Sequence, residues 1–232
     1  MRNHIWAILW KQMKDTFKNK AILIQFLMFP MMTIIMETAM DIEGMPDHFF
    51  VNMFATMYIG MAPLVSISSI IAEEKEKNTL RVLHMANVKA GEYLLGNAIY
   101  IWLICMAGSL VMGLAGGYRG EGLLQFLVIM AAGHVISIVL GAAIGVFSKD
   151  QMSATSLTVP VMLVFSFLPM LSMFNETIGK VAKFFYSQQI SLLLNALPGP
   201  KVTGECIAVV LGNIAVIGAV FVWAYRRISE IS

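Results

Sequence analysis

Apolar residues run along this chain in long unbroken stretches joined by short polar segments. The stretches are Ala21–Met40, Phe50–Ala72, Tyr93–Leu114, Leu123–Phe147, Ser153–Phe174 and Cys206–Tyr225. A helix needs about 20 such residues to cross a hydrocarbon core of about 30 Å. Closed barrels require short alternating strands instead. Long continuous runs are read as helices, because in lipid a helix satisfies its own backbone hydrogen bonds. The pattern predicts an all-α polytopic membrane protein with six transmembrane helices, forming one domain over residues 1–232.

Two segments outside the spans carry their own pattern. In residues 1–20, Trp6, Trp10, Met13 and Phe17 recur at helical spacing with Leu9 beside them, while Lys11, Lys14 and Lys18 point elsewhere. This predicts an amphipathic helix lying in the membrane interface, where tryptophan is favoured. Between the fifth and sixth spans, Val181 to Leu197 is apolar but too interrupted to cross, which predicts a re-entrant or interfacial segment turned back by Pro198-Gly199-Pro200. Gly113 with Gly117, and Gly141 with Gly145, sit at helix-contact spacing and predict close packing inside one subunit. Pro63 predicts a mild kink in the second span, and Asn175-Glu176-Thr177 matches a glycosylation triplet.

Composition agrees with the pattern: the chain is 58% hydrophobic and only 13% charged. A net charge of +2 gives no ground for nucleic-acid binding. The placement of the charges is more informative. Six spans put both termini on one side, and with that side cytoplasmic the inner segments hold twelve Lys and Arg against four outside. The positive-inside rule therefore predicts cytoplasmic termini and a location in the cell's inner or plasma membrane.

Chemistry inside the spans is sparse. Gly179-Lys180 is the nearest approach to a phosphate-binding loop, but Phe174 and Val181 occupy the positions of the first glycine and the hydroxyl. No HExxH pair occurs, and no catalytic or metal-binding set is expected. Cys105 and Cys206 lie at different depths, which argues against a disulfide. Glu37 and His134 are the only residues within the apolar runs able to carry a charge near neutral pH. Such groups either line a path or satisfy a local partner. Nineteen methionines, Met57, Met61, Met162 and Met170 among them, either line an adaptable apolar path or face lipid. Glu37 and these four residues are the candidate substrate path.

The densest charged run, Glu73-Glu74-Lys75-Glu76-Lys77-Asn78-Thr79-Leu80-Arg81, opens the loop of residues 73–92. Read alone it is a solvated helix end with Leu80 and Leu83 as a short apolar edge. Read with Glu92-Tyr93-Leu94-Leu95-Gly96-Asn97, it resembles the EKExGTLExLL motif and the following LLGK stretch of ATP-binding-cassette type-2 permeases. Asn78 stands for the glycine, Arg81 for the second glutamate and Asn97 for the lysine. The resemblance implies that Glu73 to Arg81, with Leu83, form a coupling helix that docks on a separate soluble ATPase. ATP and magnesium would bind on that partner and no cofactor on this chain. A second permease subunit, a copy or a sister, is implied as well, as is export of a hydrophobic or amphipathic cargo such as an antimicrobial or cytolytic peptide or a drug. An ion-gradient-driven secondary transporter is the alternative; it requires buried carboxylates and paired broken helices.

Overall fold

A computed structural model of the chain describes residues 2–18, 20–40, 44, 46–79, 82, 85 and 88–229, with side chains described except at 2–4, 17, 18, 21 and 227–229. Its principal helices are α1 (Arg2–Lys18), α2 (Lys20–Ala39), α3 (Phe49–Glu76), α4 (Ala90–Ala115), α5 (Gly120–Phe147), α6 (Gln151–Ser172), α7 (Glu176–Ala182), α8 (Tyr186–Asn195) and α9 (Gly204–Ser229). Six of them, α2 to α6 and α9, are long and apolar enough to cross a membrane. The expected spans are therefore present, with α3 extended four residues beyond its apolar run to Glu76. Pro63 leaves α3 unbroken. An even number of crossings puts α1 and the end of α9 on one side, termed here the near face.

The spans are not equivalent. In α3, 83% of the membrane window is buried inside the protein, against 22% in α2 and α6 and 11% in α9. α3 is thus the central post, with α5 and α6 as its largest contacts and α2, α4 and α8 also against it. Lipid supplies no hydrophobic drive between helices, so this arrangement rests on close packing and interhelical polar pairs. Gly141 and Gly145 of α5 face α3: a Cβ at Gly141 would lie 2.3 Å from the Leu64 carbonyl oxygen, and one at Gly145 would lie 2.9 Å from that of Ser68. One turn of α3 beyond Leu64, Ser68 Oγ meets Thr158 Oγ1 of α6 at 2.7 Å. Between α4 and α5, Ser109 Oγ meets His134 Nε2 at 2.9 Å, with the Tyr58 ring edge-on to the imidazole.

Of Gly113 and Gly117 only the first is a helix contact: a Cβ at Gly113 would lie 2.8 Å from Leu123 Cδ1 of α5. Gly117 takes φ +82° and ends α4, with its N–H donating to the Leu114 carbonyl and the Tyr118 N–H donating to that of Gly113. This double closure requires a left-handed residue, which explains the glycine. Cys105 and Cys206 are both free.

The segment expected to be re-entrant or interfacial, Val181–Leu197, holds the end of α7 and all of α8, two short helices joined as a hairpin. Asn175 caps α7 through its side-chain oxygen, which accepts from the Thr177 and Ile178 N–H groups; the glycosylation triplet is here a helix start. The chain turns at Lys183 to Phe185 and returns as α8. At the turn, Asn213 of α9 donates to the Phe184 carbonyl at 2.8 Å, and Tyr186 OH meets Ser137 Oγ at 2.6 Å, past the middle of α5. At the other end of α8, Asn52 near the start of α3 donates to the Leu194 carbonyl at 3.2 Å, while its own oxygen accepts from Tyr118 OH. The hairpin therefore descends from the far face into the depth of the spans and comes back. Side-chain amides supply the partners that its non-helical backbone cannot find in hydrocarbon.

Gly141→Ala is expected to destabilise the protein by about 1–3 kcal/mol through overpacking of α3 on α5. Gly212→Ala, where an added Cβ meets nothing within 4 Å, is expected to leave stability unchanged or slightly raised. Thermal unfolding of the two variants in detergent measures the contrast.

Candidate functional site at the near-face end of α3

The charged end of α3 carries four successive ionic side chains, and helical geometry points each in a different direction. Glu74 is buried and turns toward α1, where its Oε1 accepts from the Lys11 ammonium and, at 3.0 Å, from Gln12 Nε2. Lys75 turns toward α5 and donates to the Val146 carbonyl at 2.7 Å and to that of Ser148. These are terminal carbonyls of a helix, where a cation is favoured by the unpaired C=O groups and the helix dipole. Glu76 reaches the opposite kind of terminus: its Oε2 accepts from the Gln151 N–H at 3.0 Å, the first residue of α6. Asp150 caps the same terminus, and the bond from the Ser153 N–H holds its carboxyl below the ordinary range. Glu73 and Lys77 pair with each other one turn apart on the surface, and that bond raises the Lys77 ammonium above its ordinary value.

The run is therefore not a free strip of charge. Three of its side chains tie α3 to α1, α5 and α6, so the exit of the central helix is fixed to three neighbours. The helix stops at Asn78, which has φ +55°, its N–H on the Lys75 carbonyl. Asparagine is the non-glycine residue best suited to a left-handed terminus. Its exchange for the motif glycine thus keeps the backbone turn. Thr79 Oγ1 then donates to the Glu74 carbonyl at 2.9 Å and leads the chain into the loop.

Past Thr79, Val82 and Met85 are helical and exposed, at 58% and 73%. Leu80, Arg81 and Leu83 lie outside the described residues. Val82 and Met85 were not among the sequence candidates, although their spacing of three places them on one helical face. The loop closes where the Lys89 N–H donates to Glu92 at the start of α4.

α1 lies across this site. Its face toward the protein is Ile8, Gln12 and Thr16, all buried, with Ile8 against Gly96 of α4. Trp6, Trp10 and Met13 are exposed, as an interfacial helix requires, and the Lys14 ammonium sits 5.3 Å from the Trp10 ring centre. Lys11 departs from the expected basic face: its stem reaches inward because Glu74 is there.

The structure does not gather the expected path residues into one lining. Glu37 accepts from the Val51 N–H at 2.9 Å and so caps the start of α3 at the far face. Met57 is buried on α3, whereas Met61, Met162 and Met170 are half-buried, the first on α3 and the other two on α6. His134 is enclosed in the core against Ser109 and Tyr58.

Glu74→Ala is expected to strand Lys11 and Gln12 and to cost about 1–3 kcal/mol. It should also speed proteolysis within α1. Asn78→Gly should leave the melting temperature unchanged or higher, and Asn78→Val should cost about 1–2 kcal/mol for a β-branched residue forced left-handed. Detergent-phase melting and limited proteolysis read both series.

A family model described as ABC-2 family transporter protein matches residues 7–225. No curated protein matches the chain.

Proposed function

The chain belongs to the ABC-2 transporter family, and on that premise we propose that it is the membrane subunit of an exporter driven by a separate soluble ATPase. The observation that carries the proposal is the end of α3. Glu74, Lys75 and Glu76 anchor that end to α1, α5 and α6, while Val82 and Met85 stand exposed just beyond it. Exposed apolar side chains on a rigid mount suit a partner that must push. Glu73, Lys77 and Thr79 border it, and Leu80, Arg81 and Leu83 complete the proposed docking segment. In this reading the charged run transmits force more than it recognises: movement of the loop is passed through three ties to the helices around the central post. The near face is then cytoplasmic, in keeping with its excess of Lys and Arg, and both termini face the cytoplasm of an inner or plasma membrane.

A second permease subunit, a copy or a sister, completes the path. Exposed apolar side chains along α2 and α6 support this, among them Met31, Met32, Leu163 and Leu171. So do Lys180 and Lys183, which are exposed in the hairpin that descends among the spans. Ammonium groups at that depth are costly in lipid and are accommodated in a water-filled or protein-lined space. The path in this reading follows the exposed face of α2 and α6, with Met61, Met162 and Met170 at its edge. Met57 and Glu37, turned into the subunit, support its wall. An adaptable apolar lining fits a hydrophobic or amphipathic cargo, such as a membrane-active peptide or a drug. A gradient-driven transporter is the weaker reading, because Glu37 and His134 are engaged in a helix cap and a hydroxyl bond.

The decisive experiment is capture of the ATPase. Tagged chain purified from its native membrane should bring down a vanadate-sensitive ATPase. The double variant Val82→Asp/Met85→Asp should lose at least about tenfold of it, as expected for two truncated apolar anchors, with unchanged melting. Solute export by the purified chain alone, without ATP, would overturn the proposal.

A further inference from the structure

A cavity of about 600 Å³ opens between α1, α2 and the near-face end of α3, within the size range of small-ligand sites. Among the described residues its charges balance: the lining holds the ammonium groups of Lys11, Lys20 and Lys77 and the carboxylates of Asp15, Glu73 and Glu74. Gln12, Thr16 and Thr79 add neutral hydrogen-bonding groups, and Ile22 and Ile70 form an apolar part of the lining. Lys11 with Glu74, and Lys77 with Glu73, are already paired. Asp15 and Lys20 are both exposed and form no ion pair among the described residues. Among the described residues, the cavity thus offers a carboxylate and an ammonium that no close ion pair occupies, although the Asp15 charge also acts on the Lys77 ammonium.

Its depth limits what can enter. Ile22 is the first residue of the membrane window of α2, so the cavity sits where hydrocarbon gives way to headgroups. The exposed Trp6 and Trp10 of α1 belong to the same boundary. Further along α2, Ile24, Leu27 and Met28 are exposed and apolar, a surface for acyl chains. A neutral lining gives no net attraction to a purely anionic headgroup, and a choline group has no N–H to donate to a carboxylate. A phosphoethanolamine headgroup has both required ends: a phosphate for Lys20 and an ammonium with three donors for Asp15.

We propose that this chamber binds the headgroup of a near-face phosphatidylethanolamine, with Lys20 on its phosphate, Asp15 on its ammonium and its chains along α2. The bound lipid would join α1 to α2 and the end of α3, beside the ties made by Glu74. The inference stands apart from the transport reading, because it is measured on the permease chain alone.

The test is native mass spectrometry of the full-length chain in detergent, with equal amounts of dioleoyl phosphatidylethanolamine, phosphatidylcholine and phosphatidylglycerol. The ethanolamine lipid should be retained about fivefold over each of the others, the scale of one charge-assisted hydrogen bond at a partly exposed site. Asp15→Asn should bring it level with phosphatidylcholine, and Lys20→Gln should weaken retention of both. Melting without added lipid should not change in either variant, since both side chains are exposed. Equal retention of the three lipids, a preference for phosphatidylglycerol, or a preference untouched by both substitutions would overturn the assignment.

Discussion

Helices in lipid gain nothing from hiding apolar surface from one another, so a span becomes central only if its neighbours can approach closely or bond to it. α3 satisfies both conditions. Gly141 and Gly145 bring α5 to within van der Waals contact of the α3 backbone, and Ser68 joins Thr158 of α6. Asn52 holds the return of the hairpin at the far face. The outer spans then have little to do but present apolar side chains outward, which is why α9 is scarcely buried while α3 is almost wholly enclosed.

A central helix that continues past the membrane carries its surroundings' geometry with it. At the near face, α3 meets one helix that is ending and one that is beginning. Lys75 on the terminal carbonyls of α5 and Glu76 on the first amide of α6 are the two charge signs that those termini favour. Glu74 finds a cation and an amide on α1. The same three residues therefore serve as helix caps and as links between spans. Any displacement of the loop beyond Asn78 acts on a joint connected to α1, α5 and α6 together.

The hairpin of α7 and α8 solves the opposite problem, that of turning a chain inside hydrocarbon. Asn213 and Asn52 bind its carbonyls, Tyr186 reaches Ser137, and Ser172 donates to Gln188. Each of these polar residues lies in a segment that otherwise reads as apolar, and each has a specific partner there. Unpaired polar groups at this depth would be costly, so the bonds position the hairpin as much as they stabilise it.

Length and apolarity determined the six candidate crossings, because a bilayer leaves a long apolar segment no other way to satisfy its backbone, while helical spacing gave the N-terminal helix and interrupted apolarity the segment before the last span. The motif around Glu74 to Leu83 carried the family. Tertiary structure decided what individual residues do. Gly113 and Gly117 share the spacing of Gly141 and Gly145, yet Gly117 ends a helix, and only the left-handed backbone distinguishes them. Glu37 reads as a path residue until the start of α3 is brought beside it. Glu74, Lys75 and Glu76 read as one solvated strip because sequence does not say which helices meet there; their directions were set by the 100° step of the helix and by three neighbours distant along the chain. Such contacts depend on which spans are adjacent, and hydropathy, nearly uniform around α2 to α5, does not encode adjacency.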